Sequence, residues 1–234
     1  NGSSYPSSFF SSIFTIIIEK VEQMNGATKR LVNVIATAKP SLSFNANRRV
    51  LLFPEDSLVD TPSFEIARSM NTTVSQTIYS AFLEKSFTKE SMLIGANDGL
   101  SLSCSYVASK NWDRLSSIAS NVLTYSLHSI RDDLRDDDPI ISSLSFSTQD
   151  VVHSFIYRSF FTGNNIFNVS KSGNLFIYYI IVSYIRRNQN VPFGLSPSEY
   201  LRRHRSNLSI ANIGFCRTVN PLGPWKISHL NFSL

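Results

Sequence analysis

The residues best placed to do chemistry in this chain are arginines. Arg186-Arg187 closes an apolar run, and Arg202, Arg203 and Arg205 follow at the far end of a short helical signal. A planar guanidinium grips phosphate and carboxylate through paired N–H donors. The charge balance sharpens the point. From Val151 to the end, nine Lys/Arg face one acid, Glu199, whereas residues 69–150 carry six Lys/Arg against ten Asp/Glu. The formal net charge of +5 therefore hides a strongly basic C-terminal part, a distribution that suits an anionic lipid surface, ribosomal RNA or an acidic protein face.

Catalytic constellations are harder to assemble. Asp150 and His153 lie close together, but their odd separation puts them on opposite sides of a regular strand. Asp98 falls in a helical pattern, and His128, His204 and His229 are scattered. No G-x-S-x-G, H-E-x-x-H, phosphate-binding loop or dinucleotide fingerprint is present. The acids Asp132, Asp133 and Asp136 to Asp138 lack the loop glycine and spacing of a calcium site. The two cysteines, Cys104 and Cys216, form neither a disulfide framework nor a zinc cluster. These observations predict a non-catalytic chain with no cofactor, no metal and no small-molecule substrate. The Asn-x-Ser/Thr triplets are read as the chance product of a Ser- and Asn-rich sequence. The chain begins at an Asn, so its natural start, with any targeting peptide, is expected to lie upstream.

The elements that must position the arginines follow from periodicity. Residues 1–63 read as a partly helical, loop-rich extension, with a helix over about 13–25 that resumes over about 28–38. Residues 64–234 read as one domain. Phe64, Ala67, Val74, Ile78 and Phe82 recur at helical intervals. Thr88 caps the next helix, with Glu90 in its first turn. Leu93, Ala96, Leu100, Cys104 and Val107 form its apolar face, and the small residues Gly95, Ala96 and Gly99 predict close approach of another backbone. A second helix from Trp112 or Asp113 carries Leu115, Ile118, Val122, Leu127, Ile130 and Leu134, ending in the acidic run before Pro139. So short a connection makes the two helices a hairpin.

The period then changes to two. Leu144 and Phe146 alternate with serines, and Val151 to Arg158 alternates throughout. Turn signals at Gly163-Asn164-Asn165 and Ser172-Gly173-Asn174 precede the long strand Leu175–Ile185. Residues 210–219 and 225–232 form the last pair. Between the long strand and this pair, Ser196 and Glu199 make a capping box with Pro197 at the first helical position. Helices followed by hairpin-linked strands predict α+β with an antiparallel sheet. In the long strand Leu175, Ile177, Tyr179 and Ile181 point one way, and Phe176, Tyr178, Ile180 and Val182 the other. Both faces are apolar, so the second face must be covered by the extension, a partner or a membrane interface. Phe176, Tyr178, Ile180 and Val182 are the predicted partner-binding residues. No run reaches the ~20 apolar residues of a bilayer-spanning helix.

Phe87-Thr88-Lys89-Glu90-Ser91-Met92-Leu93-Ile94-Gly95-Ala96, followed by Trp112-Asp113-Arg114-Leu115 and by Phe215, Arg217, Trp225 and Ile227, resembles the Tim-forty-four-like domains of mitochondria. The match lies at Phe87, Glu90, Gly95 and Ala96. It departs at Met92, where the family usually has an aromatic, and at Asn97, where a Lys is usual. The resemblance spans about residue 64 to the end and rests on the order of short motifs. It implies a cone-shaped nuclear-transport-factor-two-like fold: a helical hairpin packed on a curved antiparallel sheet. It also implies a location in the mitochondrial matrix, peripheral to the inner membrane. One branch of the family serves as an adaptor of the inner-membrane AAA protease and helps sort imported membrane proteins. Another, in the large ribosomal subunit, anchors the mitochondrial ribosome to that membrane. In either role Arg186, Arg187, Arg202, Arg203 and Arg205 would meet lipid headgroups or rRNA phosphates. Tyr184, Phe193 and Tyr200 are the aromatics among them that could stack on single-stranded bases.

Overall fold

The computed structural model describes residues 50–53, 66–163, 175–219 and 221–233. The predicted helices over 13–38, Phe64 of the next helical pattern and the turn residues within 164–174 lie outside the described residues. Helix α1, Ile66–Ile78, runs on into a π-turn at Tyr79–Leu83. Helix α2, Lys89–Ala108, begins where Thr88 accepts the Ser91 amide and Glu90 sits in the first turn, the local chemistry that favours an N-terminus.

The second arm of the predicted hairpin is two helices, α3 (Trp112–Ile118) and α4 (Asn121–Asp132). The break is a tertiary effect. Ala119 forms an isolated bridge to Ile227, and the Ser120 amide donates to the Ile227 carbonyl at 2.8 Å. The Ala119 amide still closes the last turn of α3 on the Leu115 carbonyl, but the Ser120 amide, which would have continued the helix, binds the sheet, and Ser120 then caps α4 through its hydroxyl. A further correction concerns Leu144 and Phe146, which alternate like a strand but follow a short helix, α5, at Pro139–Ser143. Asp138 is its N-cap, with Pro139 in the first turn, so part of the acidic run begins a new helix.

The sheet is antiparallel throughout, in the order β1-β5-β4-β3-β2. Its strands are β1 (Val50–Phe53), β2 (Val151–Gly163), β3 (Leu175–Arg186), β4 (Leu208–Thr218) and β5 (Lys226–Ser233). Edge strand β1 falls within the stretch that the sequence assigned to the extension. The molecule is therefore α+β with a helical layer on an antiparallel sheet. The main core lies between them: Met92, Ala96, Leu100, Cys104 and Val107 of α2 meet Ile177, Tyr179, Ile181, Ala211, Ile213 and Phe215. Gly99 is small for a reason, although its neighbour is a side chain rather than a backbone: a Cβ there would stand 3.1 Å from the Phe215 ring. Gly95 meets nothing within 4 Å. Asn97 ties α2 to the sheet, accepting the Ser154 hydroxyl at 2.7 Å and the Ser183 hydroxyl at 3.2 Å.

Helix α6 (Pro197–His204) lies in the connection between β3 and β4 and starts with the expected capping box and Pro. It covers part of the second sheet face. Tyr200 and Val191 pack with Val152, Val182, Tyr184, Leu208 and Ile210 in a second, smaller core. His153 borders it, within about 6 Å of the rings of Phe155, Tyr184 and Tyr200. Burial holds its imidazole below the usual histidine range. As pH falls, the unfolded chain protonates here before the folded one does. Stability is thus full above about pH 6.5 and declines below it. Urea midpoints at about pH 7.5 and about pH 5.5 should differ in that direction, and His153→Phe should shrink the difference. An undiminished difference in the variant would remove His153 as its source.

Candidate functional site

The connection between β3 and β4 carries the predicted arginines, and the structure separates them by partner. Arg186 is largely buried. Its Nε donates to Asp150 Oδ1 at 3.2 Å, with side-chain exposures of 13% and 27%. Its guanidinium also lies 4.7 Å from the Phe193 ring centroid. This corrects its assignment as a free phosphate-binding group: an acid thirty-six residues earlier in the chain has claimed it. Asp150 therefore belongs to Arg186, and not to His153.

Arg187 is exposed, and Nε donates to Ser209 Oγ at 3.1 Å. The Arg187 amide donates to the Asn207 carbonyl at 2.9 Å, so the two ends of the connection meet. Arg202 and Arg203 are exposed on the last turn of α6, where the helix dipole also favours cations. Arg205, in the following turn, is half-buried. Glu199 is held below the usual carboxylate range, first by the Ser196 hydroxyl and amide of the capping box and then by Arg203 and Arg202. The single acid of this basic part is thus occupied in capping α6. The positive end of the sheet is built from Arg187, Arg202 and Arg203, with Arg205 beside them.

The predicted partner face divides in two. Val182 is 0% exposed under α6 and cannot meet a partner, a correction that follows from how Tyr200 and Val191 close over it. Phe176, Tyr178 and Ile180 remain half-buried. Their neighbours across the register are Thr162, Phe160 and Arg158. Phe160 stacks on Tyr178 at 5.3 Å and 7°, and Arg158 lies over Phe160 at 4.7 Å. Of the three aromatics named for base stacking, Tyr184 and Tyr200 are fully buried, leaving Phe193 at 58% exposure.

Sequence reasoning missed a network at the other end of the sheet. Arg217 Nη1 donates to Tyr79 Oη at 2.7 Å and to Glu84 Oε2 at 3.0 Å. Tyr79 Oη donates to Glu84 Oε2 at 2.6 Å, and Arg217 Nε donates to the Gly223 carbonyl at 2.8 Å. Phe87, Tyr179 and Trp225 ring the Tyr79 side chain. Burial, and then Glu84, pushes the Tyr79 hydroxyl far above its ordinary value. A phenol so reluctant to ionise is a hydrogen-bond donor, and the arrangement reads as structural. Only Phe87, Arg217 and Trp225 carried any signal, through the resemblance, and nothing in the sequence connects them to Tyr79 or Glu84.

The acidic run also finds its explanation here. Arg131 is buried and pairs with Asp136, which Lys110 approaches at 3.1 Å. The side-chain hydrogen bond from Arg131, followed by that from Lys110, holds the Asp136 carboxyl below the usual range. Among the described residues no cluster of His, Cys, Asp and Glu could hold a metal ion, and no helix is long and apolar enough to cross a membrane. Comparison with protein-family models and with curated proteins returned no match.

Proposed function

We propose that this chain is a non-catalytic adaptor of the mitochondrial matrix, a Tim-forty-four-like domain with a nuclear-transport-factor-two-like cone fold, which docks on the inner membrane and binds the inner-membrane AAA protease. The motif resemblance supplies the compartment and the partner. The observation that carries the docking role is the placement of Arg187, Arg202 and Arg203 on one connection at one end of the sheet, exposed, beside a Glu199 that α6 already uses as a cap. Each basic residue near an anionic bilayer contributes ~1 kcal/mol, so three together contribute about 3 kcal/mol, or about a hundredfold in affinity.

Flotation on phosphatidylcholine vesicles containing cardiolipin tests the role directly. Arg202→Glu with Arg203→Glu should weaken binding at least about tenfold and reduce its salt dependence. Unchanged flotation would remove the membrane role of α6. A second reading, a ribosome anchor, draws on Phe193, the exposed ring set against Arg186, because aromatic and arginine side chains together suit RNA. Affinity purification of the native protein from gently solubilised cells, with and without ribonuclease, separates the two. A protease that persists after ribonuclease supports the adaptor. Large-subunit ribosomal proteins in its place would support the anchor and sink the adaptor.

A further inference from the structure

Between the α5 turn and the β3–β4 end of the sheet lies a groove of about 500 Å3, lined among others by Ser143, Ser145, Asp150, Arg186, Arg187 and Ser209. That volume falls within the ~300–1,000 Å3 range of small-molecule sites. Its charges are unequal: two guanidiniums face one carboxylate, and the carboxylate is fully committed. Asp150 Oδ1 accepts from Arg186, and Asp150 Oδ2 accepts the Ser147 amide at 3.0 Å.

Arg187 stands differently. Among the described residues it makes no ion pair, and its one side-chain hydrogen bond runs from Nε to Ser209 Oγ. Ser209 is 3% exposed, so the anchor is fixed in the sheet. A guanidinium held by Nε keeps its plane and presents both Nη groups as a fork, the geometry that suits two oxygens of a phosphate. The Ser145 hydroxyl can donate to a third phosphate oxygen, whereas that of Ser143 is spent on the Ile140 carbonyl at 2.6 Å.

We propose that this groove is a binding site for a phosphate monoester, gripped by the Arg187 fork, with Asp150 holding Arg186 back and thereby limiting the positive charge offered to the ligand. The phosphate can belong to a free small molecule or to a lipid headgroup. The proposal rests on and deepens the reading that the basic end of the molecule meets phosphate: it concerns a pocket that shares Arg187, but not Arg202 or Arg203, with the docking surface.

The experiment is calorimetric titration of the full chain with inorganic phosphate and with glycerol 3-phosphate, alongside flotation on phosphatidylcholine vesicles doped with phosphatidic acid. Glycerol 3-phosphate should bind, and Arg187→Gln should weaken it at least about tenfold while leaving the melting temperature nearly unchanged. Ser209→Ala should weaken it less, by releasing the fork. Asp150→Asn gives the distinguishing sign. It should tighten phosphate several-fold by removing the negative charge that neutralises Arg186 while lowering the melting temperature, since it loses an ion pair; a purely structural Asp150 would show only the second effect.

Release of the protein from vesicles by excess glycerol 3-phosphate would identify the headgroup as the source. Binding of glycerol 3-phosphate without vesicle competition would identify a free small molecule. No binding of either phosphate by the wild type, or binding unaffected by Arg187→Gln, would overturn the pocket. Flotation that then still depends on Arg202 and Arg203 would leave the proposed membrane role intact, and loss of both would end the two readings together.

Discussion

Replacing Arg217 by Leu should destabilise the fold by roughly 2–3 kcal/mol, seen as a fall of about 5–10 °C in melting temperature for a domain of this size. The guanidinium ties a segment distant in sequence, Tyr79 and Glu84 after α1, to the β4–β5 connection, where it bonds the Gly223 carbonyl and lies 5.1 Å from the Trp225 ring centroid. Arg217 is 11% exposed and Glu84 32%. Removing one partner of a fully buried pair costs about 3–5 kcal/mol because the other charge stays desolvated. Glu84 is close to a third exposed, so water recovers part of that, and the expectation falls below the range. Glu84→Gln is the informative companion. Its amide oxygen still accepts from both Arg217 and Tyr79, so the loss should be nearer about 1 kcal/mol. Urea unfolding of both variants checks this. A loss under about 0.5 kcal/mol for Arg217→Leu would mean that the network contributes no net stability.

Tyr200→Ala should be costlier, at roughly 3–5 kcal/mol, and should also disable the basic end without touching any arginine. Tyr200 is 0% exposed and is the buried residue of α6. Its ring meets Tyr184 edge-on at 6.2 Å. Its hydroxyl lies 3.0 Å from the Pro192 carbonyl and 3.3 Å from the Val152 carbonyl, and accepts the Leu195 amide at 3.4 Å. Truncation removes the ring that seats the helix, and eight residues of helix do not hold together alone. Arg202 and Arg203 would then lose their fixed positions. Tyr200→Phe keeps the ring, should cost about 1 kcal/mol, and should float on anionic vesicles like the wild type. The contrast is read at a temperature where circular dichroism shows both variants folded. If Tyr200→Ala binds vesicles normally there, the ordered placement of α6 is irrelevant to docking.

Much of this molecule is written locally. The Ser196–Glu199 capping box with Pro197 marks the start of α6, Thr88 marks the start of α2, and the dense β-branched and aromatic run marks β3, because each signal acts within a turn or along one strand. The order of helices then strands made the α+β class legible, and the charge count placed the basic excess after residue 150, with Arg186, Arg187, Arg202, Arg203 and Arg205 clustered around the segment that holds α6. What the tertiary structure alone decided lies in contacts between distant segments. A continuous helical pattern is interrupted after Ala119 because the Ile227 carbonyl takes the Ser120 amide that would have continued the helix. Arg186 and Arg187 are neighbours in sequence with opposite fates, since consecutive strand-end residues face different surroundings and only Arg186 reaches Asp150. Val182 and Ile180 share a face, yet α6 covers only the first. Alternation tells which way a side chain points; what it meets there depends on how the chain folds back, and no window of neighbouring residues contains that information.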